Sequence, residues 1–305
     1  MPVRYVDVDD AEGQRLDNFL IRELKGVPKS RVYRLLRRGE VRVNGGRAGP
    51  DYRLKKGDRV RLPPHEARPA AITAPSPKLI DWLEQSILFE DDALIVIDKP
   101  GGIAVHGGSG IVSGVIEALR ARPGSARLEL AHRLDRDTSG CLVLAKNRAA
   151  LAEWHGAFRE GRVQKTYDVL VHGRWPRRLK LVDLKLARYA TKSGERRVRS
   201  AIDGQAARSD FEVTNVGRHG TWLRCHPHTG RTHQIRVHCS ASGHAVVGDS
   251  KYASDDELAL AKTLGIRRLC LHATSLALVG SDRRRRRFVA PIPTDFDAAW
   301  AALSV

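Results

Sequence analysis

Ten consecutive residues, Ala131-His132-Arg133-Leu134-Asp135-Arg136-Asp137-Thr138-Ser139-Gly140, put two carboxylates, two guanidiniums and an imidazole into one short string. Carboxylates can serve as covalent nucleophiles or as proton carriers when a scaffold holds them in place. An uncharged run, Cys141-Leu142-Val143-Leu144-Ala145, follows at once and has the length and composition of a buried strand. The charged group is therefore expected in a turn held against a sheet, where catalytic side chains are well positioned. Spacing alone favours an Asx-type cap for a single Asp in such a turn, and Asp137 is assigned that part.

Two further stretches carry usable chemistry. Gln164 to Val171 is β-branched and alternating, so it reads as a strand with Lys165, Tyr167, Val169 and Val171 on one face. A lone strand tyrosine more often packs than reacts. Gly230-Arg231-Thr232-His233-Gln234-Ile235-Arg236-Val237-His238 follows a turn at Pro227, with Thr232 expected to cap a short helix that Gly243 ends.

The elements that must position these groups can be read in order. Between Gly13 and Leu62, Leu16, Phe19, Leu20 and Leu24 have helical spacing. A second helix is expected from an N-cap at Ser30 to a stop at Gly39, with Arg31, Arg34, Arg37 and Arg38 on its polar face. Val41 and Val43, an Asn44-Gly45 turn, and Val60 and Leu62 indicate short strands. Pro63 to Pro77 holds five prolines in fifteen residues and reads as a semi-rigid spacer. The expected division is a module over 13–62, a linker over 63–82 and a larger domain over 83–305. That domain opens with apolar segments Ile87–Phe89 and Ala93–Ile97, a Gly-rich loop over 101–110, and an amphipathic helix through Val112, Val115, Ile116 and Leu119. Arg148 to Glu160 is expected to be helical. Arg174 to Arg199, basic and weakly patterned, is expected to form loops and edge strands near the partner, and strands return at Phe211–Val216 and Trp222–Cys225. Many short strands with few helices between them give an α+β class with a mixed, mainly antiparallel sheet.

Composition narrows the partner. The 305 residues carry 53 Lys or Arg against 35 acids, a net charge of +18, and fifteen of those cations against five acids fall between Gly13 and Leu62. Such an excess suits a polyanion, because neutralising phosphates releases condensed counterions. The four cysteines form no Cys-x-x-Cys pair and read as buried thiols of a reducing compartment. No apolar run reaches the length of a membrane span, and the acidic N-terminus lacks the layout of a signal peptide. A soluble cytoplasmic protein is expected. With no sustained heptad or spare apolar helix face, it is expected to be monomeric.

His132-Arg133-Leu134-Asp135-Arg136-Asp137-Thr138-Ser139-Gly140 closely resembles the catalytic motif of the pseudouridine synthases that modify ribosomal RNA. Gln164-Lys165-Thr166-Tyr167 resembles that family's active-site tyrosine segment, and Gly230 to His238 its third motif. The Gly13–Leu62 unit resembles the RNA-binding module named after small-subunit ribosomal protein four, in which a helix pair carrying cations such as Arg31, Arg34, Arg37 and Arg38 grips structured RNA. Arg136 directly after Asp135 points most closely to the branch acting on large-subunit ribosomal RNA.

The resemblance implies a nucleophile at Asp135, an arginine at Arg133 entering the stack left by a flipped base, and a tyrosine at Tyr167 lying on the uracil. It also implies Arg236 paired with the Asp135 carboxylate, with Ile235 against the base and Lys165 near the substrate. Isomerising uridine to pseudouridine is redox-neutral and needs no atom donor. No cofactor, metal or nucleotide site is therefore expected.

Other readings compete with this one. Asp137-Thr138-Ser139-Gly140 fits an aspartic-protease motif, but that chemistry needs two such carboxylates and there is one copy. The group Cys225, His226, His228, His233, His238 and Cys239 lacks the paired-cysteine spacing of structural zinc. A non-catalytic RNA-binding assembly factor, or the same chemistry on transfer RNA, would share the basic module. Asp135, Tyr167 and Arg236 together favour the enzyme.

Overall fold

The computed structural model describes residues 3–9, 11–24, 27, 29–64, 75–107, 113–191, 195–280 and 285–305, without the side chains of Lys29 and Ser30. The chain divides into two units, Met1–Thr73 and Ala74–Val305.

In the first unit, β1 (Arg4–Asp7), α1 (Leu16–Glu23), α2 (Lys29–Arg38), β2 (Arg42–Val43) and β3 (Arg59–Leu62) follow one another. The strands form an antiparallel sheet in the order β1-β3-β2. The helical spacing of Leu16, Phe19, Leu20, Val32, Leu35 and Leu36 brings them onto Val43, Val60 and Leu62 in one core. Asn44 and Gly45, both at positive φ, reverse the chain after β2. Strand β1 lies before Gly13 and was not expected. Its alternating Tyr5 and Val6 pair with Arg61 and Val60, so its partner supplies the ladder that its own composition did not announce. Helix α2 starts at Lys29, which puts Ser30 inside its first turn rather than at the cap; the preceding residue lies outside the described ones.

The second unit begins with α3 (Pro77–Gln85), β4 (Ile87–Glu90), β5 (Leu94–Lys99), α4 (Val115–Arg120), β6 (Glu129–Leu130) and β7 (Ser139–Ala145). The proline-based linker assignment therefore runs too far. Ser76 accepts the Leu79 N–H and Pro77 sits at the first helical position, so proline here starts a helix. Residues 65–74 of that linker, and 108–112 of the Gly-rich loop with Val112, lie outside the described residues. The chain continues through α5 (Arg148–Arg159), β8 (Val163–His172), β9 (Leu181–Ala190), β10 (Arg196–Ser200), β11 (Gln205–Val216) and β12 (Gly220–Pro227). It ends with α6 (Gln234–Ala241), α7 (Asp255–Thr263), β13 (Leu271–Val279), β14 (Arg285–Val289) and α8 (Thr294–Ser304).

Among the described residues one sheet runs β10-β9-β11-β12-β8-β13-β7-β5-β4, with β14 on β13 and β6 on β7. Only the β13–β7 pair is parallel, so the class is α+β with a mixed, mainly antiparallel sheet. Period two divides the central strands between two cores. Leu94, Val96, Cys141 and Val143 pack with Trp154 of α5 on one side. Ile95, Ile97, Leu142 and Leu144 pack with Leu83 of α3 and Ile116 and Leu119 of α4 on the other. The Arg174–Arg199 stretch is more regular than its composition implied. It contains all of β9 and most of β10, because cross-strand pairing decides strands that propensity leaves open. All four cysteines are buried and free. No described helix is long and apolar enough to cross a membrane.

Candidate active site

The turn before β7 is tethered on every side but one. Leu134 is buried in the core beneath the sheet, and His132 Nε2 accepts the Val143 N–H at 3.1 Å. Burial pushes the His132 imidazole down to about 3, so it stays neutral as an acceptor requires. The Thr138 N–H donates to the Asp135 carbonyl at 3.2 Å. Lys99, fully buried, donates to the carbonyls of Pro100 (2.6 Å), Ile103 (2.8 Å) and Arg136 (2.9 Å). Burial pushes the Lys99 ammonium down to about 7, against the pull of Asp137 and Asp135, while three carbonyls accept its three protons. Gly140 closes the turn at φ +110°; a Cβ there would lie 2.3 Å from the Ala273 carbonyl oxygen. The expected cap by Asp137 is not what holds the turn. Its carboxylate accepts from Arg136 Nε at 3.0 Å instead, since the Asp135 carbonyl already takes the nearest N–H.

What remains free is the Asp135 side chain, 21% exposed. Arg133 is exposed and, among the described residues, carries no ion pair.

Arg236 reaches Asp135 from α6. That helix is not capped by Thr232, whose hydroxyl accepts from Arg188 Nη2 at 2.6 Å. His233 occupies the cap in the left-handed region (φ 54°, ψ 22°), and the first turn is fixed by Gln234 instead. Gln234 Oε1 accepts from the Thr229 hydroxyl (2.6 Å) and the Arg231 N–H (3.0 Å), and Nε2 donates to the Arg208 carbonyl (3.0 Å). The guanidinium of Arg236 is buried. Nε and Nη2 each donate to Asp249 at 2.7 Å, and Nη1 points to Asp135 Oδ2 at 3.4 Å. Burial opposes that charge, but the hydrogen bonds to Asp249 and the nearby Asp135 raise its pKa above the ordinary arginine value.

His233 adds a second approach, with Nε2 at 3.8 Å from Asp135 Oδ2. Its Nδ1 lies 2.7 Å from the Tyr252 hydroxyl, which accepts the Val198 N–H at 3.0 Å. Assigning the tyrosine proton to Nδ1 leaves the imidazole proton on Nε2, facing Asp135. Burial lowers the His233 pKa against the pull of Asp135, which keeps the ring neutral.

A cleft of 630 Å³ joins these groups to the third stretch. Asp135, Arg133, Tyr167, Lys165, Ile235 and Arg236 all line it. Tyr167 of β8 is partly buried, and its pKa is raised by burial first and by Asp135 second, so its phenol keeps its proton. Lys165 Nζ donates to the Thr229 carbonyl at 2.9 Å, and burial pushes its pKa down to about 8. Arg31, Arg34, Arg37 and Arg38 lie elsewhere, exposed along α2 in the first unit. Sequence reasoning missed Asp249, Tyr252 and His233. Asp249 follows a short buried apolar segment, Ala245-Val246-Val247, and no cluster of charged residues like that around Asp135 drew attention to it.

A protonated phenol, a steadied carboxylate and the cations Arg133 and Lys165 around one cleft can perform covalent chemistry on a polyanion's aromatic base. A model of the RNA pseudouridylate synthase family matches residues 93–241, and one of the S4 domain matches residues 14–60. Ribosomal large subunit pseudouridine synthase C of Haemophilus influenzae is 49% identical over 272 residues, covering 88% of this chain and 84% of the relative. The protein of that name from Escherichia coli K12 is 49% identical over 273 residues, 88% and 85% of the two chains. Human RNA pseudouridylate synthase domain containing 4 superposes with a TM-score of 0.59 at 26% identity, over 74% of this chain and 95% of that one. The chain belongs to the RNA pseudouridine synthases, isomerases whose substrate is RNA.

Proposed function

We propose that this protein isomerises specific uridines of large-subunit ribosomal RNA to pseudouridine, with Asp135 as nucleophile. The bond from ribose carbon 1′ to ring nitrogen 1 breaks, the uracil turns, and a bond to ring carbon 5 forms. The proton lost from carbon 5 is balanced by one gained at nitrogen 1. Asp135 adds either to ring carbon 6 or to the sugar, and the detached uracil stays enclosed while it turns.

The target uridine leaves its stack first, at a cost of a few kcal/mol. Arg133, exposed and unpaired, enters the vacated space, where a planar cation stacks better than an ammonium. Tyr167 lies against the uracil, contributing about 1–3 kcal/mol, and its protonated hydroxyl relays the carbon 5 proton. Ile235 packs the opposite edge of the base. Lys165 contacts the substrate, and Arg236 pairs with the Asp135 carboxylate and orients it. Arg31, Arg34, Arg37 and Arg38 position the RNA through its backbone, contacts that read little sequence. We assign 13–62 to this RNA-binding module, the stretch from 63 to the start of α3 at Pro77 to the connection and the rest of the chain to catalysis, in a monomeric, cytoplasmic enzyme without a cofactor.

The observation that carries the reading is Asp135 held between Arg236 and His233 at one end of a cleft that Tyr167 also lines. The test is tritium release from large-subunit RNA carrying 5-tritiated uridine. Asp135→Asn is expected to release none while retaining RNA binding; release at the wild-type rate refutes the assignment. Mapping pseudouridines in ribosomal and transfer RNA of cells with and without the protein decides between those substrates.

A further inference from the structure

Beside the catalytic cleft lies a second cavity, of 380 Å³, that shares the wall Gly230-Arg231-Thr232 with it. We propose that this cavity holds the nucleotide adjacent to the target uridine in the same RNA strand. The proposal rests on the neighbouring cleft being the uridine pocket, and adds the part of the substrate that fixes the strand's path beyond it.

The sheet itself builds the cavity. Leu186 of β9 is the register partner of both Ser200 of β10 and Gln205 of β11. Because β10 and β11 flank β9 on opposite edges, the four residues between, Ala201-Ile202-Asp203-Gly204, carry the chain across β9. Gly204 permits this because its Cα rests on the backbone of β9; a Cβ would stand 2.6 Å from Leu186 main-chain atoms. Buried Leu186 and Val198 line the cavity as its apolar part, and Asp203 stands at its rim. Ile202, in this crossing, is 94% exposed.

Two arginines give the cavity its ligand class. Arg188 is pinned by one nitrogen, Nη2 to Thr232 Oγ1 at 2.6 Å, and Arg231 by Nε to the Ala206 carbonyl at 3.1 Å. Neither is in an ion pair among the described residues, so both keep N–H groups for a phosphate. An apolar floor suits a base, and the Asp203 carboxylate can accept from a 2′-hydroxyl or an exocyclic amine. Ile202 then abuts the next base and keeps the strand unstacked, as apolar wedges do elsewhere in nucleic-acid complexes. The shared wall of residues 230–232 places the two sites one nucleotide apart.

The experiment compares Arg188→Ala, Arg188→Lys and Ile202→Ser with the wild type, using tritium release from 5-tritiated large-subunit RNA across a range of salt. Arg188→Ala is expected to raise KM about 5–10-fold with kcat changed less than twofold, and to lower the slope of log affinity against log salt by about 1. Arg188→Lys should restore the slope. Ile202→Ser, on an exposed loop that folding does not depend on, should raise KM at least threefold without touching the slope. Wild-type KM and salt slope in both Arg188→Ala and Ile202→Ser overturn the subsite. Absence of release by the wild-type enzyme instead overturns the function proposed above.

Discussion

Asp249→Asn isolates what the second carboxylate does for the first. In the wild-type protein Asp249 takes two of the three guanidinium nitrogens of Arg236 at 2.7 Å, and Asp135 takes the third at 3.4 Å. Asparagine keeps the shape and one acceptor, but its amide NH₂ faces a guanidinium N–H, donor against donor. It also removes the charge that balances a guanidinium only 3% exposed, beside a carboxylate that is fully buried. Breaking such a pair costs about 3–5 kcal/mol. For a unit of this size, Ala74–Val305, each kcal/mol moves the melting point about 2–4 °C, so a fall of roughly 6–20 °C is expected. Released from Asp249, Arg236 turns toward Asp135 and claims its carboxylate. A misplacement of that size costs on the order of 10²-fold in rate. Differential scanning fluorimetry reads the first effect and single-turnover tritium release at a temperature where the variant is folded reads the second. If Asp249→Asn melts within about 2 °C of the wild type and turns over at the same rate, the clamp has no function.

Three further outcomes follow from the geometry. Gly140→Ala combines a φ of +110° with a Cβ 2.3 Å from the Ala273 carbonyl, and should lose roughly 2–6 kcal/mol in urea unfolding; a loss below 1 kcal/mol contradicts the close approach of β13. Lys165, with its pKa at about 8, is charged below that value and neutral above it, so RNA affinity should weaken between pH 7 and 9 and hold steady there in Lys165→Arg; a wild-type affinity flat to pH 9.5 speaks against a substrate contact. Tyr252→Phe strips the hydroxyl from His233 Nδ1 and Val198, and should lower kcat about 10-fold at unchanged KM, with kcat unaltered as the opposing result.

The elements around the site were readable wherever a side-chain pattern specified them. The uncharged Cys141–Ala145 run became the all-buried β7, and the alternation of Lys165, Tyr167 and Val169 became β8. Where backbone pairing or long-range contact decides, the pattern was silent. β1 owes its regularity to β3, far along the chain, β9 owes its own to pairing on both edges, and the crossing at 201–204 exists only because β10 and β11 take opposite edges of β9 at Leu186. The cap of α6 went wrong for the same reason. Thr232 has the right chemistry for capping, but Arg188, from β9, takes its hydroxyl. Asp135, Tyr167 and Arg236 were noted through resemblance to a family; Asp249 and Tyr252 become visible only once the chain folds back onto α6 and brings them to Arg236 and His233, 13 and 19 positions earlier.

The unequal sharing of Arg236 bears on why Asp135 can react at all. A carboxylate gripped by both arms of a guanidinium has its lone pairs committed, and any bond it forms to a substrate must first break that fork. Arg236 spends its fork on Asp249 and leaves one longer contact for Asp135. Asp135 thus has Oδ2 held in place while Oδ1 forms no hydrogen bond to Arg236 or His233. The neutral His233 adds orientation without a second full charge. The Arg236 charge is largely balanced by Asp249, and the Asp135 side chain faces a cleft whose other charged lining residues, Arg133, Arg159, Lys165 and Arg231, are cations. RNA phosphates would neutralise those cations and seat a base on the side of Asp135 that Arg236 leaves open.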